Sequence, residues 1–450
     1  MTTPRRLELL HWNDVHGRFA GLARLSARAR AVRDAADHPV LVLDGGDVEE
    51  GSVRVSALTF GVAGWRLLGA AGVDAAVAGN GGLLRYGPAV LPEYAAGLGS
   101  PPLVCDLEAA DGRTPDGAAP SVLLQAGDLS VGVVGITDYF HQYADFGLSE
   151  RPRSTAVRRE AHDLRARGAD VVVLLSHAGV DADRAISWNL RGLVDVIVGG
   201  HTHHLLDGGD LDHGVPIAQA GCFAEQLGRV LLEVDADGVR VVDLSVEAVP
   251  EDAATDPAVL AELAACERDL GDWLAEPVAE LSAPVPHEGP DNPVGRLVVE
   301  ALLAQAPADL GVLIDAHCEA GLPAGTITRD HVWGVTSSPG NLSTATLTGA
   351  EVRRMLVRGR SEEFVTGRPR TFRGRPYGPL QYVGAEVRGE EIHVAGAPLD
   401  DDRTYTVTGS DLELSVYGTL VERTPADFTC ETTRILPQIL ESYLRTLDAG

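Results

Sequence analysis

The 450-residue sequence contains no lysine: all 37 basic side chains are arginine, against 65 acidic ones, for a formal net charge of −28. A surface of that sign repels phosphate backbones and anionic lipid heads, which argues against nucleic acid or a membrane as partner through a broad basic face. A small anion stays admissible where metal ions or a few arginines reverse the field inside a cleft. Cysteine is scarce as well. Its five residues, at 105, 222, 266, 318 and 430, form no CxxC pair and predict neither a disulfide framework nor a thiolate zinc site. Long apolar runs are missing: "VVVLLS" at 171–176 falls far short of the ~20 residues of a membrane-spanning helix and suits a buried strand. The N-terminal text reaches polar residues after a few apolar ones, so no signal peptide and a cytoplasmic location are expected.

What is present is ordinary globular composition, 45% hydrophobic and 23% charged, in a length that suits two or three domains. Through residue 248, short β-branched runs alternate with amphipathic stretches, the pattern of an α/β fold. The strand candidates include "LELLHWND" (7–14), "PVLVLDGGD" (39–47), "AAVAGN" (75–80), "ADVVVLLSH" (169–177) and "VDVIVGGH" (194–201). In "TDPAVLAELAACERDLGDWLAEP", Asp256 can cap, Pro257 can open a helix, and Leu260, Leu263, Leu270 and Leu274 recur at helical spacing. The expected division is a first domain over 1–248, a connecting helix within 249–284, and an α+β domain over 285–450.

Ligands in α/β sheets collect at the carboxyl ends of strands. Those ends carry Asp14 and His16 ("NDVHG"), Asp47 ("DGGD"), Asn80 ("GN"), His177 ("SHAG"), and His201 and His203 ("GHTHH"). Two carboxylates, one amide oxygen and four imidazoles are the donors preferred by Mn, Fe, Zn or Co ions. Seven donors are too many for one ion and suit two divalent metals around a shared carboxylate. Such a pair lowers the pKa of a water and clamps the attacking and leaving oxygens of a phosphoryl displacement.

The order Asp-x-His, Gly-Asp, Gly-Asn, His, Gly-His-Thr-His resembles the calcineurin-like metallophosphoesterases. With "LDGGDVEEGS", "AQAGCFAEQLGRV", "NPVGRLVVEALL" and "YTVTGSD", the whole chain is similar to the 5′-nucleotidase and UDP-sugar hydrolase family, as a divergent member. The resemblance implies a four-layer α/β/β/α sandwich followed by an α+β substrate-binding domain. It also implies metal-activated hydroxide, a small phosphorylated substrate and a role in nucleotide catabolism. One metal would fall to Asp14, His16, Asp47 and His203, the other to Asp47, Asn80, His177 and His201, with Asp47 and Asn80 closest to the chemistry.

The departures bear on activity. The family's His–Asp dyad, which stabilises charge on the reacting phosphate, falls at Gly81 and Leu84 of "GNGGLLRYG", with Arg85 a nearby cation. Its phosphate-binding arginine falls at Glu319, and its two base-stacking phenylalanines at Pro379 and Leu412. Asn341, Tyr377 and Tyr417 remain as candidate substrate-binding residues. Aromatics, only 5% of the chain, concentrate in "TDYFHQYADFG" (137–147), which suits a site-covering loop or a small satellite core. The expected function is a dinuclear hydrolase of phosphoric esters, as monomer or homodimer. The alternatives are a catalytically impaired metal-binding scaffold, or a hydrolase of cyclic phosphodiesters or sulfur esters.

Overall fold

Period-two alternation sorts the side chains of each strand between two faces. In the computed structural model, which describes all residues except 1–3, 52, 337, 339, 368–375, 390, 416–419, 422–424, 426 and 448–450, the result is two sheets that share one buried face. The strands are β1 (Arg5–Trp12), β2 (Val40–Asp44), β3 (Ala75–Ala76), β4 (Ser121–Ala126), β5 (Leu129–Thr137), β6 (Val171–His177), β7 (Val196–Gly199), β8 (Ile217–Ala218), β9 (Gln226–Asp235) and β10 (Gly238–Ala248). One sheet runs β10-β9-β1-β2-β3 and the other β8-β7-β6-β5-β4. β1, β2 and β3 are parallel, as are β5 to β8, and antiparallel strands close one edge of each sheet.

Leu7, Leu9, Leu41 and Leu43 of the first sheet meet Val131, Val133, Val171, Val173 and Leu175 of the second in one buried cluster. Each such side chain contributes about 1.5–3 kcal/mol of burial, so this inter-sheet layer carries much of the stability. The alternate residues of the second sheet, Val134, Ile136, Val172 and Leu174, pack on the helix Arg153–Ala166 through Val157, Ala161 and Leu164. Helices Phe19–Ala35, Val62–Ala71 and Pro257–Asp269 pack together, the first of them against β9. The layers are therefore helix, sheet, sheet, helix.

The helix Val180–Leu190 places Asp183 in its first turn, fully buried under Gly199. Asp183 Oδ1 accepts from Ser176 Oγ at 2.5 Å while Oδ2 has no hydrogen-bond partner, and burial pushes the carboxyl up to about 7. Between about pH 4 and pH 7 the folded state thus keeps a proton that the unfolded chain releases, so stability falls as pH rises through that interval. Asp183→Asn is expected to flatten this limb, read as urea midpoints across the same interval.

The chain divides into Met1–Asp269 and Leu270–Gly450. The expected connector 249–284 is therefore shared between the units. Asp256 Oδ1 accepts from Ala258 N at 2.9 Å, and the helix it caps belongs to the first unit. That helix buries Val259 and Cys266, one face seven residues apart, whereas Leu260 is 38% exposed. Pro277–Leu281 pairs with Gly325–Thr328 in the second unit.

The second unit holds β11 (Leu310–Ile314), β12 (Asn341–Thr348), β13 (Leu380–Val383), β14 (Thr404–Ser410) and β15 (Thr429–Ile435) in the order β13-β11-β14-β12-β15. Leu310, Val312 and Ile314 face Val352, Met355 and Leu356 of the helix Gly349–Arg358. Leu313 faces Val298, Val299 and Leu302 of the helix Pro293–Gln305, together with Ile439 and Leu440. No helix among the described residues is long and apolar enough to cross a membrane.

Candidate metal centre

Every expected donor sits at or just beyond the carboxyl end of a first-unit strand. Asp14 and His16 follow β1, Asp47 follows β2, Asn80 follows β3 and opens the helix Asn80–Tyr86, His177 ends β6, and His201 and His203 follow β7. Five of the seven, Asp14, His16, Asp47, His201 and His203, have left-handed backbones with φ between 46° and 72°. For residues other than glycine this conformation costs about 1–3 kcal/mol each and persists only where the surroundings enforce it. Here Asp14 N donates to Gly46 O (2.9 Å), His16 N to Asp47 O (3.0 Å) and Asn13 Nδ2 to Gly221 O (2.7 Å).

Two groups of donors converge: Asp14, His16 and His203, and Asp14, Asp47 and His177. Asp14 Oδ2 accepts from Asn13 Nδ2 (2.7 Å) and His201 N (2.9 Å), which turns Oδ1 toward the imidazoles. That buried oxygen makes no hydrogen bond of good angle, although His203 Nε2 lies 3.2 Å and His16 Nε2 3.5 Å away. His16 Nε2 and His203 Nε2 face each other at 3.2 Å. Two nitrogens on a tetrahedral zinc would lie about 3.3 Å apart. In the second group His177 Nδ1 is 2.6 Å from Gly45 O, so the proton belongs on Nδ1 and Nε2 is left for Asn80 Oδ1 (3.1 Å) and Asp47 Oδ2 (3.4 Å). Gly81 N holds Asp47 Oδ1 at 2.7 Å. The fourth histidine, His201, stands apart from both groups; its Nε2 is 3.5 Å from Asp138 Oδ2 and its ring centroid 5.2 Å from that of His177.

The electrostatics call for a cation. Burial works to raise the carboxyls of Asp14 and Asp47, yet the imidazoles of His16 and His203 hold Asp14 well below the usual carboxylate range, and His177 does the same for Asp47. Reciprocally, burial opposes charge on His177 and His203, but Asp47 raises the first to about 10 and Asp14 the second to about 10. Two buried carboxylates require positive neighbours. Divalent cations meet that requirement while leaving the rings neutral, the form in which imidazole is a ligand. The donor set therefore fits.

Several residues around the donors were not legible as functional. Asn13 and the Gly45 carbonyl orient ligands, and Glu50, 4% exposed, places Oε2 3.8 Å from His16 Nδ1. Glu49 is equally buried, and its carboxyl is raised to about 7 by burial and by the charge of Asp47. The run "DVEEGS" was their only signal. A Cβ on Gly79 would fall 2.2 Å from Asp47 Oδ1, so the glycine before Asn80 is required by close approach. The aromatic segment divides between core and the neighbourhood of the donors. Tyr143 is fully buried, while Phe140 stands 6.3 Å from the His201 ring.

In the second unit the substrate-binding expectations fare differently. Asn341 uses Nδ2 to donate to Arg434 O (2.9 Å) and its backbone N to Asp411 Oδ1 (2.9 Å), so its amide is engaged in holding strands. Tyr377 is 4% exposed and stacked on Phe364, with ring centroids 4.7 Å apart. Tyr417 lies outside the described residues. Glu319 is exposed, its N donating to Val335 O.

The paired sheets with oxygen and nitrogen donors at their carboxyl edge define a metallohydrolase. Residues 7–205 match the calcineurin-like phosphoesterase family and residues 277–416 the 5′-nucleotidase C-terminal domain. The chain belongs to the metallophosphoesterase family, carries a 5′-nucleotidase-type C-terminal domain, and is a hydrolase of that family. It is 26% identical over 422 residues to the uncharacterized metallophosphoesterase YunD of Bacillus subtilis, covering 91% of this chain and 89% of that one. It is 27% identical over 312 residues to a 5′-nucleotidase of Diplobatis ommata, covering 61% of this chain and about half, 54%, of the relative. A 5′-nucleotidase precursor from Thermus thermophilus shares the fold, with a TM-score of 0.61 at 22% identity over 98% of this chain and 97% of that one.

Proposed function

We propose that this chain is a dinuclear metal-dependent hydrolase of small phosphoric esters. Asp14, His16, Asp47 and His203 would hold one cation, and Asp47, Asn80, His177 and His201 the other, with Asp47 shared. The observation that carries the reading is the buried Asp14 Oδ1, unsatisfied and facing two imidazole nitrogens from loops almost two hundred residues apart in sequence. When bound, two such cations lower the pKa of a water and neutralise charge on the phosphoryl oxygens. The chain's own groups fix the geometry: Asn13 and the His201 N–H set Asp14, Gly45 O sets the His177 tautomer, and the Gly81 N–H sets Asp47. Neither Gly81 nor Leu84 offers a side chain able to stabilise charge on phosphorus, which favours activated esters and a substrate range not restricted to nucleoside monophosphates.

The test is metal analysis of the purified protein beside a panel of p-nitrophenyl phosphate, bis(p-nitrophenyl) phosphate and nucleoside monophosphates with added Mn²⁺. About two equivalents of divalent metal and chelator-sensitive turnover are expected. Absence of stoichiometric metal overturns the reading. Metal without turnover of any ester selects the impaired binding or scaffold protein suggested by Gly81 and Leu84. Gly81→His with Leu84→Asp probes the missing dyad, but a Cβ at position 81 would sit 3.0 Å from Asp47 Oδ1, so Asp47 must yield slightly for the pair to act.

A further inference from the structure

We propose that Phe60, Tyr86 and Phe146 form a subsite on the first unit that takes a planar aromatic group on the alcohol side of the phosphoric ester. The inference rests on the dinuclear reading above and specifies which esters that site accepts.

Phe60 is the anomaly that leads to it. The short helix Arg54–Leu58 ends in a Schellman turn: Phe60 N donates to Ala57 O (3.2 Å) and Gly61 N to Ser56 O (2.7 Å). The first residue past the cap of such a turn is left-handed and is usually glycine. Here it is a phenylalanine with φ 53°, and the residue is 58% exposed. A bulky apolar side chain in strained backbone, facing solvent, serves stability poorly on both counts. Its one ring partner among the described residues is Tyr86, met edge-on at 5.5 Å. Tyr86 ends the helix that Asn80 begins, and its hydroxyl is buried without a hydrogen-bond partner. Phe146, 40% exposed, lies against the next residue: a Cβ on Gly87 would fall 2.8 Å from its Cδ1. Three aromatic residues from three segments thus gather at the far end of a two-turn helix whose near end carries a metal-ligand candidate. Phe140, in the same segment as Phe146, meets the His201 ring at 6.3 Å. An ester held by phosphate at the metal donors would bring its alcohol group over this rim, and π faces bind planar groups without demanding a particular hydrogen-bond pattern.

The experiment compares wild type, Phe60→Gly, Phe60→Leu and Phe146→Ala, all Mn²⁺-loaded. Turnover is read with p-nitrophenyl phosphate against glycerol 2-phosphate, and binding by calorimetry with phenylphosphonate against methylphosphonate. Phe60→Gly and Phe146→Ala are expected to raise KM for the aryl ester about tenfold and leave the glycerol ester within about twofold, with Phe60→Leu between. The preference for phenyl- over methylphosphonate should fall in parallel. Because glycine suits the turn, Phe60→Gly should melt no lower than wild type. Equal effects on both ligand classes, no effect on either, or a drop in Tm of more than about 5 °C for Phe60→Gly would overturn the proposal. If no ester turns over at all, the hydrolase reading fails while the phosphonate comparison still decides the subsite.

Discussion

Asp47→Ala is expected to reduce ester turnover by about 10³-fold or more, with loss of bound metal, measured as kcat/KM for bis(p-nitrophenyl) phosphate and as metal content after dialysis. Asp47 Oδ2 lies 3.4 Å from His177 Nε2 and 4.0 Å from His16 Nε2, so, like Asp14, which belongs to both groups of donors, it is within reach of imidazoles from each. Its other oxygen accepts from the Gly81 N–H, which fixes the orientation of the carboxylate. Glu49 and Glu50 are close in sequence but are held elsewhere, Glu49 by Trp65 Nε1 at 2.5 Å and Glu50 beside His16 Nδ1. Asp47→Asn is the sharper variant, because it keeps shape and removes charge. If it retains metal and turnover, the shared-carboxylate assignment is wrong even though the fold survives.

Chelation should lower the melting temperature of the first unit by about 10 °C, read by calorimetry with and without added Mn²⁺. An ion present at about a thousand times its dissociation constant contributes ~4 kcal/mol, and each kcal/mol moves the Tm of a domain this size by about 2–4 °C. The effect is reinforced here because Asp14, Asp44, Asp47, Glu49 and Glu50 are each no more than 5% exposed, so acidic groups are crowded where water cannot screen them. Burial raises Asp44 well above its ordinary range, which shows how little solvation is available. An unchanged melting curve would mean that the donors form no tight site.

The donors were legible because each occupies a strand end, and strand ends follow from β-branched runs that stop at polar or glycine-bearing turns. The two-sheet core was legible for the same reason, through alternation such as Val131, Val133 and Val134, Ile136. Other features depended on distances that sequence spacing does not encode. His201 shares a motif with His203, yet a left-handed turn at each residue sends the two rings to different places. Tyr377 suits stacking by type, but Phe364, thirteen positions earlier, takes its face. The leucines at 260, 263, 270 and 274 form a helical face on paper. Leu274 is buried beyond the break after Asp269, whereas in the helix itself, which packs on Phe19–Ala35 and Val62–Ala71, the buried side chains are Val259 and Cys266. Phe60 gave no signal, since a Schellman turn with phenylalanine in the glycine place is visible only as geometry.

The split of the donors between the sheets has one more consequence. Asp14, His16, Asp47 and Asn80 hang from one sheet and His177, His201 and His203 from the other, so each convergent group draws on both. A cation at either group would add a cross-link between two layers that meet through an apolar core and a few hydrogen bonds at this edge, among them His201 N to Asp14 Oδ2 and His177 Nδ1 to Gly45 O. Ion affinity then exists only after the layers have closed in the correct register, and metal uptake during refolding would time that closure. A slip of one sheet against the other would divide every ligand set, so bound ions would favour the native pairing of the two layers.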